Sequence, residues 1–132
     1  MTSPPTPPTP PGRRILLVED SADAREALQL LLELDGHDVA VAADGSEALT
    51  RAVEVEPDVA LIDIGLPVLD GYEVARRLRA TPLGSKMRLI ALTGYGQPED
   101  RARVMEAGFD GHLVKPVDPD ALSRELIAPT GQ

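Results

Sequence analysis

Short apolar runs alternate along the chain with longer segments whose apolar residues recur every three or four positions. Ile15-Leu16-Leu17-Val18 is continuously apolar, the pattern of a strand buried on both faces. Ser21 offers an N-cap, and Ala24, Ala27, Leu28, Leu31 and Leu32 keep helical spacing until Gly36, which predicts a helix closed by a glycine. Val39, Val41 and Ala43 predict a second strand, and Ala48, Leu49, Ala52 and Val53 the inward stripe of a second helix. Val59-Ala60-Leu61-Ile62 is a third strand, followed by a helix over Gly71 to Arg79 with Val74, Ala75 and Leu78 inward. Leu89-Ile90-Ala91-Leu92 is strand four, and a helix from about Pro98 to Ala107 ends at Gly108. His112-Leu113-Val114 is strand five. Asp118-Pro119 then supplies an N-cap and a proline at the first helical position of a last helix that runs to about Ile127.

Five strands alternating with five helices predict an α/β fold: a doubly wound, five-stranded parallel sheet reached by right-handed crossovers. Both a Rossmann-like and a flavodoxin-like strand order satisfy this pattern. In either, function belongs at the carboxyl ends of the strands, near the point where the strand order reverses.

Composition narrows the picture without changing it. At 132 residues, 42% hydrophobic and 27% charged, the chain has room for one ordinary core. Six of its 13 prolines fall between Pro4 and Pro11, so residues 1–12 read as an extended leader or linker, 13–128 as the domain and 129–132 as a tail. A net charge of -9 argues against nucleic-acid binding and against docking on anionic membranes. The absence of cysteine excludes disulfides, thiol catalysis and cysteine-based metal sites. No signal peptide or spanning run is present, and the expectation is a cytoplasmic protein.

The strand ends carry the chemistry. Strand one ends in Glu19-Asp20, strand three in Asp63, strand four in Thr93 and strand five in Lys115, whereas Asp44 after strand two reads as a turn or helix cap. Taken singly, an Asp after a strand is usually a cap, a Thr likewise, and a Lys a solvated charge. Delivered together to one edge of one sheet, they form a set of three carboxylates, a hydroxyl and an amine. Crowded carboxylates resist ionisation unless a cation neutralises them, and an all-oxygen set selects Mg²⁺, with Mn²⁺ as the alternative. Such a cation would screen an incoming phosphoryl group, an ionised Asp can act as its nucleophile, and Thr93 and Lys115 can bind its oxygens.

At this point the residues resemble the receiver domains of response regulators in two-component signalling, over roughly Arg13 to Ile127. The matching motifs are ILLVED at 15–20, ALIDIGLPVLDGYEVARRLR at 60–79, IALTG at 90–94 and HLVKP at 112–116. The resemblance implies the flavodoxin-like order 2-1-3-4-5 and Asp63 as phosphoacceptor. It implies Asp20 and Asp63 as direct Mg²⁺ ligands, Glu19 as a ligand through water, and Gly65 as a backbone-carbonyl ligand. Thr93 becomes the switch hydroxyl, Lys115 the phosphate-contacting lysine, and Lys115-Pro116 a cis peptide bond, for which X-Pro carries only a small penalty.

Two positions depart from the family pattern. His112 stands where Tyr or Phe is usual for a rotamer switch, and Gly65 presents no side chain to cover a phosphoryl group. Tyr95, two residues past Thr93, is a candidate to restrict water at the acyl phosphate. The expected partners are a sensor histidine kinase or a histidine phosphotransfer protein, and an effector bound through helix 4, strand 5 and helix 5. The chain is expected to be a monomer or a weak phosphorylation-dependent dimer. It reads as a phosphoacceptor with self-catalysed transfer rather than a turnover enzyme, slightly more like a receiver from a hybrid histidine kinase than a free-standing one. The competing readings are a flavin- or nucleotide-binding module, disfavoured by VEDSAD where a glycine-rich loop would stand, and a phosphorylation-independent interaction domain.

Overall fold

The computed structural model describes residues 13–82, 84–94 and 100–127. Ten elements alternate: β1 (Arg14–Val18), α1 (Ala22–Leu34), β2 (Asp38–Ala42), α2 (Gly45–Val55), β3 (Val59–Asp63), α3 (Gly71–Arg79), β4 (Arg88–Thr93), α4 (Asp100–Ala107), β5 (Gly111–Val114) and α5 (Pro119–Ile127). The strands form one parallel sheet in the order β2-β1-β3-β4-β5, which is the flavodoxin-like alternative. The register pairs Ile15 with Val59, Ile62 with Ala91, and Thr93 with Val114, so the strand ends carrying polar groups stand side by side.

Alternation along the strands divides the core into two layers. Leu16, Val18, Ala60, Ile62, Leu89 and Ala91 face α2, α3 and α4. Ile15, Leu17, Val59, Leu61, Ile90 and Leu92 face α1 and α5. Burial on both faces explains why β1, β3 and β4 are continuously apolar, whereas β2 and β5 at the sheet edges are mixed.

Local chemistry sets the helix ends. Ser21 Oγ accepts from Ala24 N, Asp44 Oδ1 from Glu47 N, Asp70 Oδ1 from Glu73 N and Asp118 Oδ2 from Ala121 N, each an N-cap. Gly36 (φ +91°) and Gly108 (φ +103°) turn the chain out of α1 and α4 in the left-handed region. Ala43, expected in strand two, lies beyond it: its N–H donates to Glu47 Oε1, so the start of α2 takes it from the ladder. Two expected inward residues are exposed, Ala27 on α1 and Val53 on α2, the latter 66%. The helices bury narrower faces than their apolar stripes, and Ala27 and Val53 flank surface grooves instead. The expected leader, the tail, the start of helix four near Pro98 and Tyr95 lie outside the described residues.

One side chain ties the end of the fold remote from the polar strand ends. Arg79, in the last turn of α3, donates to Gly108 O (2.8 Å), Gly84 O (2.6 Å), Met87 O (2.6 Å) and Asp110 Oδ2 (2.6 Å). Asp110 in turn accepts from Leu89 N, so α3, the α3–β4 turn, β4 and the α4–β5 turn share one cation. Removing the guanidinium would strip a donor from three carbonyls and the only charged partner of Asp110 among the described residues, whose carboxylate would keep just the Leu89 N–H. Arg79→Ala is expected to lower unfolding free energy by about 2 to 4 kcal/mol in urea titrations, and Arg79→Lys to recover little, because an ammonium cannot span the same fork.

Candidate functional site

Each site residue is the product of a strand ending. β1 runs directly into Glu19, whose N–H still pairs with Ala42 O at 3.0 Å, so this carboxylate is carried inward on sheet geometry and is 1% exposed. Asp20 follows on the outside. The α1 cap falls to Ser21, so Asp20 is not spent on capping and stays exposed at the rim. β3 ends in Asp63, buried, and β4 in Thr93, also buried. Beyond β5, Lys115 precedes Pro116 through a cis peptide bond.

The sheet brings these groups into contact. Lys115 Nζ lies 2.8 Å from Asp63 Oδ2 and 2.6 Å from Glu19 Oε1. Asp63 Oδ1 accepts from Gly65 N at 2.8 Å, and Glu19 Oε2 from Ser21 N at 3.2 Å. Buried Glu19 Oε1 is met by the Lys115 ammonium and by no other donor among the described residues, so it is ion-paired with acceptor capacity to spare. Thr93 Oγ1 donates to Leu113 O at 3.4 Å, a long bond that leaves the hydroxyl easily redirected.

Burial and charge act against each other here. Burial is the largest influence on Glu19 and pushes its carboxyl up, helped by the charge of Asp63 and opposed by Lys115 and the Ser21 N–H. Burial also acts most strongly, and upward, on Asp63, but Lys115 and the Gly65 N–H outweigh it and hold Asp63 below the usual range. Burial presses Lys115 down, and Asp63 and Glu19 more than restore it, so its ammonium is held up. Asp63 therefore adds stability at neutral pH that is lost as pH falls through its depressed value. The Lys115 contribution is lost as pH rises through its raised one. Glu19, raised by burial, runs opposite to Asp63 and with Lys115: it favours the fold while protonated, and that contribution is lost as pH rises through its raised folded value.

Glu19, Asp20 and Asp63 each offer a carboxylate oxygen, and the three atoms lie within 4.8 Å of one another. Three negative charges against one ammonium leave a deficit of two, and every donor is hard oxygen. The free capacity of buried Glu19 Oε1 adds a polar atom aimed into the cluster. These residues fit a divalent oxygen-loving cation.

All the expected site residues among those described converge except His112, which lies half-buried on β5, paired in register with Ala91 on the α4 side of the sheet. Gly65 is at the surface two residues past Asp63, with only Asp63 Oδ1 near the place a Cβ would take, at 3.5 Å. Arg25 was not anticipated: its Nη1 donates to Glu19 O at 2.8 Å and fixes the end of β1 from α1. Its partner is a backbone carbonyl, which leaves no residue signature to read.

Residues 15–127 match the family model described as the response regulator receiver domain. The chain is 40% identical over 110 residues to a 14.6 kDa protein of Leptolyngbya boryana, covering 83% of this chain and 84% of that one. It is 42% identical over 103 residues to the transcriptional regulatory protein PrrA of Mycobacterium tuberculosis, covering 78% of this chain but 43% of that protein. Among solved structures, the receiver domain of a sensor histidine kinase from Pseudomonas aeruginosa superposes with a TM-score of 0.80 at 37% identity, covering 87% of this chain and 94% of that one. That neighbour has a magnesium ion coordinated in its active-site cleft.

The charge deficit predicts linkage between cation and stability. At a hundredfold excess over its dissociation constant, Mg²⁺ should raise unfolding free energy by about 2.7 kcal/mol. Asp20→Asn should be more stable than wild type without divalent cations, because repulsion is relieved, and should lose most of the Mg²⁺ response. Thermal melts with and without Mg²⁺ check both.

Proposed function

The chain belongs to the response regulator receiver domain family of two-component signalling, and from that premise we propose that Asp63 accepts a phosphoryl group from a phosphohistidine with the help of Mg²⁺. The observation that carries the reading is the convergence of Lys115 on Asp63 and Glu19 beside a third carboxylate. Asp20 and Asp63 would hold the cation directly, Glu19 through water and Gly65 through its carbonyl. When bound, the cation supplies charge neutralisation for phosphoryl oxygens, a role Mn²⁺ can also fill.

The protein's own groups do the rest. Asp63, ionised because Lys115 and the Gly65 N–H outweigh its burial, attacks phosphorus. The phosphorus–nitrogen bond of the donor breaks, and its imidazole leaves and takes up a proton. An acyl phosphate forms on Asp63, to be lost later to water. Lys115 exchanges its carboxylate contacts for phosphoryl oxygens, and Thr93 turns its hydroxyl from Leu113 O toward them. That turn vacates space beside His112, which would transmit the change to the α4–β5–α5 face. Tyr95 and Gly65 are the positions proposed to tune water access.

The donor on this reading is a sensor histidine kinase or a histidine phosphotransfer protein, and the acceptor of the signal is an effector protein rather than nucleic acid. The protein acts in the cytoplasm as a monomer or weak phosphorylation-dependent dimer, and as a switch rather than a turnover enzyme. Among the described residues no helix is long and apolar enough to cross a membrane.

Asp63→Asn keeps the shape and removes the nucleophile. Incubated with Mg²⁺ and a small acyl phosphodonor, wild type should take up one hydroxylamine-labile phosphoryl group, and Asp63→Asn less than a hundredth as much. Equal labelling of the two would overturn the assignment.

A further inference from the structure

The loop between β3 and α3, residues 64–70, carries Gly65 and determines how Asp63 is presented. It is short and closed, with Gly71 N donating to Ile64 O at 3.1 Å. At its tip Leu69 N donates back to Pro67 O at 2.7 Å around Val68, which is 82% exposed and has φ +71°. A β-branched residue in the left-handed region is strained, and such a conformation persists only where its surroundings impose it.

The residue next to it, Leu69, is seated against another element. Gly45, the first residue of α2, is buried against this loop. A Cβ placed on it would lie 2.2 Å from Leu69 O, 2.6 Å from Leu69 Cβ and 2.9 Å from Val74 Cγ2. Gly45 has no positive φ, so its own backbone does not require glycine. The close approach does. The end of α2 is also firmly placed, by the Asp44 cap and by Glu47 reaching back to Ala43 N. The helix end is therefore an anvil against which Leu69 is seated, and the strained turn holds it there. A methyl group at position 45 would have to push the loop out by roughly 1 Å to regain ordinary contact distance. Because the loop is closed between Ile64 and Gly71, that displacement passes to Gly65 and so to its 2.8 Å bond with Asp63 Oδ1.

We propose that Gly45 is a positioning residue for the phosphoacceptor site: by admitting Leu69 against the end of α2, it sets the β3–α3 loop at the height where Gly65 orients Asp63 and meets the cation. The proposal rests on the phosphoacceptor reading of Asp63.

The test uses the full chain and compares wild type, Gly45→Ala and Gly84→Ala. Gly84 is an equally intolerant glycine, its Cβ falling against Leu78 O, but it lies at the opposite end of the fold. For each protein that far-UV circular dichroism shows to be folded, Mg²⁺ affinity is measured by calorimetry and phosphorylation from a small acyl phosphodonor at saturating Mg²⁺. Gly45→Ala should weaken Mg²⁺ binding at least threefold and slow phosphorylation at least tenfold, while Gly84→Ala loses stability and keeps both near wild type. Leu69→Ala, which loosens the same seat from the loop side and leaves α2 untouched, should move both quantities in the same direction by less. It stands as the test if Gly45→Ala does not fold. Wild-type affinity and rate in Gly45→Ala or, where that variant does not fold, in Leu69→Ala would overturn the proposal. So would equal losses in folded Gly84→Ala, since the effect would then be general destabilisation. Failure of wild type itself to take up phosphate would instead refute the phosphoacceptor reading.

Discussion

A single ammonium, that of Lys115, holds two buried carboxylates from different strands, and most of the structure can be read as the means of delivering it. Left unpaired, Glu19 and Asp63 would each cost several kcal/mol to ionise out of water. Paired, they still leave the cluster short of positive charge by two once Asp20 is counted. Among the described residues no further cation pairs with these carboxylates, since Arg25 beside them is committed to the Glu19 carbonyl, and the fold contains an unmet electrostatic demand. That imbalance makes the site responsive to added positive charge, since a cation placed there would compete with Lys115 for the same carboxylates.

A parallel sheet suits this task. Its strands all end on the same side, so residues far apart in sequence arrive within hydrogen-bond distance without irregular backbone in the core. The two apolar layers hold the strands rigid, and the charged groups are built on their last residues rather than on long loops. Glu19 illustrates the gain. It continues the ladder of β1 through its N–H to Ala42, and Arg25 and Ser21 secure its carbonyl and its second carboxylate oxygen.

The opposite end of the sheet is held differently. There Arg79 gathers three carbonyls and Asp110, and Arg88 reaches Glu125 on α5. Each of these cations serves atoms of the scaffold. The division assigns the rigid hydrogen-bonding to one end and the unbalanced charge to the other, so that α4, β5 and α5 are braced from below while their upper ends remain next to the site.

Much of this was legible in the residues alone. Apolar runs and their spacing marked all ten elements, because burial on one or two faces leaves a periodic trace, and the caps at Ser21, Asp44 and Asp118 were visible as residue types that satisfy free N–H groups. The candidate set Glu19, Asp20, Asp63, Thr93 and Lys115 followed from strand ends. Periodicity left the strand order open between two topologies, because the pattern along one chain does not record which strands are neighbours; family resemblance then favoured one, and the register in space bears it out. Nor did apolar spacing show that Ala27 and Val53 face grooves, since helical stripes do not state how wide a face the sheet will cover. The roles of Arg25 and Arg79 depend on backbone carbonyls, and that of Gly45 on the Leu69 carbonyl lying where its side chain would be. The sequence by itself determined the elements and the chemistry at their ends; only tertiary structure decided the contacts made to backbone atoms, because every residue carries the same backbone and its position is set by packing.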